Sequence, residues 1–186
     1  MSFIRLAVQC SRKVRRNAAS RRILRLGRRT VSVSRMRCTS NIGAPLVQNR
    51  GSFGDGSPMK TLPCPCGSGK PLATCCQPVI RRERCAATAE ALMRSRYTAF
   101  VLGEAGWLLE SWHASTRPAA LDLGEEPRQK WIGLQVRAHR TIDEDHAEVE
   151  FVARYRVGGR AQRLHETSRF VREDGRWFYV DGDLHN

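Results

Sequence analysis

Four thiols fall within the thirteen residues Cys64-Pro65-Cys66-Gly67-Ser68-Gly69-Lys70-Pro71-Leu72-Ala73-Thr74-Cys75-Cys76. A piece this short cannot bury enough apolar surface to hold its own shape. Four thiolates closing tetrahedrally on one Zn²⁺ would hold it, with Cys64, Cys66, Cys75 and Cys76 as the ligands. Each thiol must lose its proton to ligate, so binding would depend on pH, and the metal free energy would largely be the folding free energy of the segment. Disulfides, a redox pair and four unrelated thiols are the competing readings. Seven Cys in the chain is an odd count for a disulfide framework, and a bridge between adjacent Cys75 and Cys76 is strained. Gly67-Ser68-Gly69-Lys70 lacks the spacing and the following hydroxyl of a phosphate-binding loop. Its glycines fit the positive-φ turns that wrap a backbone around an ion.

A formal charge of +14 suggests a nucleic-acid partner, but +12 of it lies in residues 1–58, which are Arg- and Ser-rich with Asp55 as their one acid. Residues 1–58 are expected to be a disordered basic leader, because high charge with few aromatics does not offset the ordering entropy. A targeting peptide and a salt-sensitive nucleic-acid arm compete with that reading, and translation from Met59 would omit the segment altogether. The remaining residues carry only +2, so nucleic acid is expected only through the leader. No apolar run approaches the roughly 20 residues of a spanning helix, so no membrane partner is expected and the localisation expected is cytoplasmic.

Residues 77–82 read as a basic connector containing Pro78. From 84 to 103, Ala89, Met93, Tyr97, Phe100 and Val101 recur at helical spacing, with Gly103 as a stop; Cys85 near the start is expected to be a small buried thiol. A second helix is expected over 104–114, with Trp107, Leu108 and Trp112 on one side and Pro118 ending it. After a loop over 115–128 the period becomes two: Ile132, Leu134, Val136 and Ala138, then Val149, Phe151, Ala153, Tyr155 and Val157. Gly158-Gly159 and Glu173-Asp174-Gly175 read as hairpin turns, and 160–172 and 176–183 as third and fourth strands. The fold class is therefore α+β: a long antiparallel meander, twisted or bulged, covered by the preceding helices.

The cysteine segment resembles the SEC-C motif, the zinc-binding tail of the preprotein translocase ATPase SecA. The residues after it resemble the YchJ-like family: Ser95-Arg96-Tyr97, Trp112-His113 with Ser115-Thr116, Glu150-Phe151-x-Ala153, His165-Glu166-x-Ser168-x-Phe170 and Trp177-x-Tyr179-x-Asp181-Gly182. The resemblance implies a SEC-C zinc module at 59–82 followed at 83–186 by a domain of the nuclear transport factor 2-like fold, a curved sheet closed into a cone by helices. By analogy with SecA it implies a protein partner of the chaperone or translocation type.

Period two puts Leu164, Glu166, Ser168 and Phe170 on one side of their strand, so a carboxylate lies among apolar neighbours. Its pKa would rise unless a cation such as Arg96 pairs with it. Arg96, Tyr97, Trp112, Glu166 and Ser168 are the candidate pocket of the cone. Glu166 could act there as a general base, as carboxylates do in ketosteroid-isomerase-type members of this superfold, but a structural ion pair tying helix to sheet is set ahead of catalysis. The four Trp are read as core anchors rather than a stacking platform, and His113 as a complement to a helix C-terminus. No Ser-His-Asp order, H-E-x-x-H or nucleotide fingerprint is present. With all four zinc positions taken by protein, the metal has no place open for substrate. The expected function is therefore a zinc-shaped interaction or adaptor module, with a small-molecule binder or enzyme using the cone as the alternative.

Overall fold

The computed structural model describes residues 62–121, 123 and 129–185; the basic leader lies outside them, and so does the 59–61 start of the expected zinc module. Four helical pieces precede four strands. Leu72–Thr74 is a single 3₁₀ turn, α1 is Gln77–Ile80, α2 is Ala89–Leu102 and α3 is Ala105–Glu110. The strands β1 (Lys130–Thr141), β2 (His146–Val157), β3 (Arg160–Glu173) and β4 (Arg176–Leu184) form one antiparallel sheet in the order β1-β2-β3-β4. This is the meander expected from the alternating apolar residues and tight turns.

The helix α2 begins later than periodicity suggests. The Thr88 hydroxyl accepts a hydrogen bond from Ala91 N–H at 3.1 Å and caps the helix. Upstream, the N–H groups of Glu83 and Arg84 both turn back to the Pro78 carbonyl, which commits residues 81–87 to a loop. Cys85 is exposed in that loop, contrary to the expectation of a buried thiol. Pro78 sits in the first turn of α1, where a missing N–H costs nothing. At its other end α2 stops at Gly103, whose φ of 78° is left-handed. The helix α3 ends at Glu110 rather than running to 114. The backbone of Ser111 accepts from Tyr179 N–H of β4 at 2.9 Å, and His113 N–H donates to the Tyr179 carbonyl at 2.7 Å. Pairing to the sheet has outcompeted continuation of the helix.

In the sheet, Ala147, Val149, Phe151, Ala153 and Tyr155 of β2 are buried on one face, as are Leu164, Glu166, Ser168 and Phe170 of β3, while Val152 is also buried out of phase with its strand. In β1 a register shift between Trp131 and Gly133 changes the phase. Trp131 turns inward against Tyr97, Phe100 and Tyr155, with ring centroids 5.3–5.7 Å apart. Ile132, expected inside, is exposed. Further shifts lie between Val136 and Ala138, and between Arg169 and Phe170. Trp107 and Trp112 are core residues, while Trp131 and Trp177 pack against the core partly covered.

One hydrophobic core runs through the whole described structure. Cys64, Cys66, Cys76, Val79 and Ile80 join the same cluster as Leu92, Tyr97, Trp112, Phe151 and Phe170. The cysteine segment is thus seated on α2 and β1.

Candidate metal centre and the buried carboxylate

The cysteine segment folds as a small loop closed by Leu72 N–H to the Leu62 carbonyl and by Cys64 N–H to the Lys70 carbonyl, each at 2.9 Å. Gly67 and Gly69, at φ of 72° and 74°, supply the left-handed turns. Gly67 is also where the loop meets the sheet: a Cβ there would lie 3.0 Å from the Leu134 carbonyl oxygen of β1. From α2, Arg94 donates to the Cys66 carbonyl at 2.8 Å while its other edge pairs with Glu90. Arg84 donates to the Cys75 carbonyl at 2.9 Å.

These supports bring the Sγ atoms of Cys64, Cys66, Cys75 and Cys76 within 4.8 Å of one another. The contacts Cys66–Cys75 and Cys75–Cys76 are 3.6 and 3.9 Å. Four sulfurs about 2.3 Å from a tetrahedral zinc ion stand about 3.8 Å apart, whereas a disulfide requires about 2.05 Å. All four are free thiols. Their electrostatics are those of a group waiting for a cation. The thiol of Cys76 hydrogen-bonds the Cys66 sulfur and holds Cys66 down to about 4, and the same contact drives Cys76 upward. Burial raises Cys64. One cation would relieve all of them at once. Outside the ligand set, Ser68 Oγ lies 3.1 Å from Cys75 Sγ and Thr98 Oγ1 lies 3.7 Å from Cys64 Sγ. The residues present therefore fit a single soft or borderline metal ion.

The second polar cluster lies inside the cone. Glu166 is fully buried. Its Oε1 accepts from Ser168 Oγ at 2.8 Å and from the Tyr179 hydroxyl at 3.4 Å. Arg96, also enclosed, donates to the Leu108 carbonyl at 2.8 Å and to Ser111 Oγ at 2.6 Å. Its guanidinium lies over the rings of Tyr179 (4.5 Å) and Trp112 (5.3 Å). Burial pulls the Arg96 pKa down to about 10, against the attraction of Tyr179 and Glu166. Tyr97 is pushed up to about 12, chiefly by burial, with a backbone hydrogen bond from Gly133 acting the other way. Arg96, Tyr97, Glu166 and Ser168 line one cavity together with Phe151, Phe170 and Tyr179. Trp112, grouped with them from sequence, instead backs Arg96 from behind. The space open to the centre of a water molecule is about 20 Å³, enough for one or two waters.

Two residues of this cluster escaped the sequence pattern. Tyr179 reaches Glu166 only across the register shift in β3. Gly182 faces the carboxylate so closely that a Cβ would lie 2.3 Å from Glu166 Oε1. A glycine inside a strand is itself a signal of such close approach.

The fold and the two clusters define a class: a short motif of four clustered cysteines joined to an NTF2-like cone. Family comparison agrees on both parts. Residues 61–78 match the SEC-C motif and residues 88–182 match "YchJ, middle NTF2-like domain". A UPF0225 protein of Polaromonas naphthalenivorans is 61% identical over 135 residues, covering 66% of this chain and 98% of that protein. One from Cupriavidus metallidurans is 56% identical over 144 residues, covering 74% and 97%. The chain belongs to the YchJ (UPF0225) family. Among solved structures, a SEC-C motif containing protein from Rhodopseudomonas palustris has a TM-score of 0.59 at 34% identity, over 67% of this chain and 100% of that one. A SEC-C motif containing protein from Psychrobacter arcticus has a TM-score of 0.56 at 28% identity, over 69% and 84%.

Proposed function

We propose that Cys64, Cys66, Cys75 and Cys76 hold one structural Zn²⁺ and that the loop so fixed is a docking module for a protein partner. The observation that carries this reading is the convergence of four thiols at the mutual spacing of a tetrahedral zinc site. Bound zinc would supply charge neutralisation and a fixed loop shape. The inner face of the loop is spent on α2 and β1, while Gly69, Lys70, Ala73 and Thr74 remain exposed beside the exposed Arg81, Arg82 and Arg84. That outward surface is what a partner would meet. The likeness to the zinc-binding tail of SecA favours a chaperone or translocation-type partner, in the cytoplasm. The cone is the weaker candidate for function, since its cavity takes only a water or two.

Elemental analysis of the purified, reduced chain should give one zinc per molecule. Pull-down from lysate, compared between the native chain and Cys75→Ser, tests the docking role. Loss of both zinc and partner in the variant is expected; full retention of both would sink the proposal.

A further inference from the structure

We infer that Ser115 is a base-activated nucleophile, able to take an acyl or phosphonyl group from an activated donor. It sits in a Ser-His-Glu relay on the outside of the cone. The geometry lies in the turn that follows α3. His113 is fixed by its own backbone: its N–H donates to the Tyr179 carbonyl at 2.7 Å, and its carbonyl accepts from Thr116 and Arg117 N–H. The ring is held against Phe178, centroids 6.4 Å apart. Ser115 Oγ lies 2.6 Å from His113 Nδ1, and Glu173 Oε1 at the end of β3 lies 3.0 Å from His113 Nε2.

The tautomer follows from the donors present. Ser115 N–H points at Nδ1 from 3.4 Å, so Nδ1 is the acceptor nitrogen. The ring proton is then on Nε2 and is donated to the Glu173 carboxylate. With Nδ1 bare, the Ser115 hydroxyl donates to it. A hydroxyl facing a base nitrogen, with a carboxylate orienting the other side of the ring, is the arrangement that activates a nucleophile. Chain order hides it: the base precedes the serine by two residues, and the carboxylate comes from a strand end far downstream.

The step balances without a further reactant. The Ser115 Oγ–carbon or Oγ–phosphorus bond forms, the bond to the leaving group breaks, and the hydroxyl proton passes to His113 Nδ1 and then to the departing group. Ser115 is exposed and His113 half-buried, so the donor approaches from solvent, and the product is a covalently modified serine. Glu173 is a positioning residue.

The test uses the full-length chain with a fluorophosphonate probe and with p-nitrophenyl acetate, the adduct being located by mass spectrometry. One adduct on Ser115 is expected, absent in Ser115→Ala. General-base assistance is commonly worth about 10²-fold or more, so at this open site His113→Gln should slow labelling at least about tenfold. Glu173→Gln should slow it by a smaller factor and Glu173→Asp should restore part of it, a graded order that a fold defect alone would not produce. Circular dichroism and zinc content identify any variant that misfolds; if His113→Gln does, the Glu173 pair decides. Adducts spread over other hydroxyls, or a labelling rate indifferent to both His113 and Glu173, would overturn the assignment.

Discussion

The cysteine cluster and the Glu166 cluster are both largely buried knots of polar atoms, and they are satisfied in opposite ways. Around Glu166 the chain provides its own counterparts: two hydroxyl donors, and a guanidinium stacked on Tyr179 whose charge the carboxylate favours. Around Cys66 the sulfurs have mainly one another, and bringing them together lowers one thiol by raising its neighbour. A closed polar network can serve as a structural tie between helix and sheet. A cluster of four thiols whose members repel when ionised has the composition and spacing that a bound cation would neutralise. The first belongs to the architecture, the second to whatever the architecture presents.

That contrast predicts a graded response. Removing zinc with a chelator should be the largest perturbation, costing about 3 kcal/mol or more, seen as a fall of roughly 10 °C in Tm for a chain of this size. If Tm does not move, the metal is not structural. Acid should reach the same state in a set order. Ligation needs thiolates, and protons compete with the metal for them, so zinc should leave first as pH falls. The sheet loses support later. Hydrogen bonds from His146, His165 and Arg169 hold Asp143, Glu150 and Asp183 below the usual carboxylate range. The stability they add is present at neutral pH and is lost only as pH drops through those depressed values. A zinc-sensitive dye followed alongside circular dichroism separates the two stages. Glu166→Ala, which leaves Arg96 and two hydroxyls buried without their carboxylate, should cost about 3 kcal/mol by urea unfolding with zinc content unchanged. Gly182→Ala should cost about 2 kcal/mol by crowding that carboxylate, and little more when added to Glu166→Ala. Additive costs would show that the contact is not the cause. The smallest effect is Ser68→Ala: little change in Tm, with zinc affinity weakened roughly tenfold in a competition titration.

The parts of this molecule legible in its sequence are those where local chemistry decides. Gly158 and Gly159, at φ of 56° and 79°, and Asp174-Gly175, at 49° and 75°, make turns of the kind their residue types demand. They fix the registers of β2, β3 and β4. The four thiols and the inward pair Glu166 and Ser168 were likewise visible as spacing. What was hidden depends on partners far along the chain. The early end of α3 comes from Ser111 pairing with Tyr179. The wrong side assigned to Ile132 comes from one shift in β1. Tyr179 and Gly182 join Glu166 only through the pairing of β3 with β4. Trp112, counted with the cavity from sequence, lies against Arg96 but outside the lining, and its own turn pairs with Tyr179 of β4.

The approach of Gly67 to the Leu134 carbonyl has a consequence for how the molecule behaves in company. The strand β1 is a margin of the sheet, and an uncovered margin invites strands of other molecules to add on and grow into fibrils. The cysteine loop stands guard over that margin. Loss of zinc from that loop should therefore leave the strand open to further strands, and turbidity should rise before unfolding is complete.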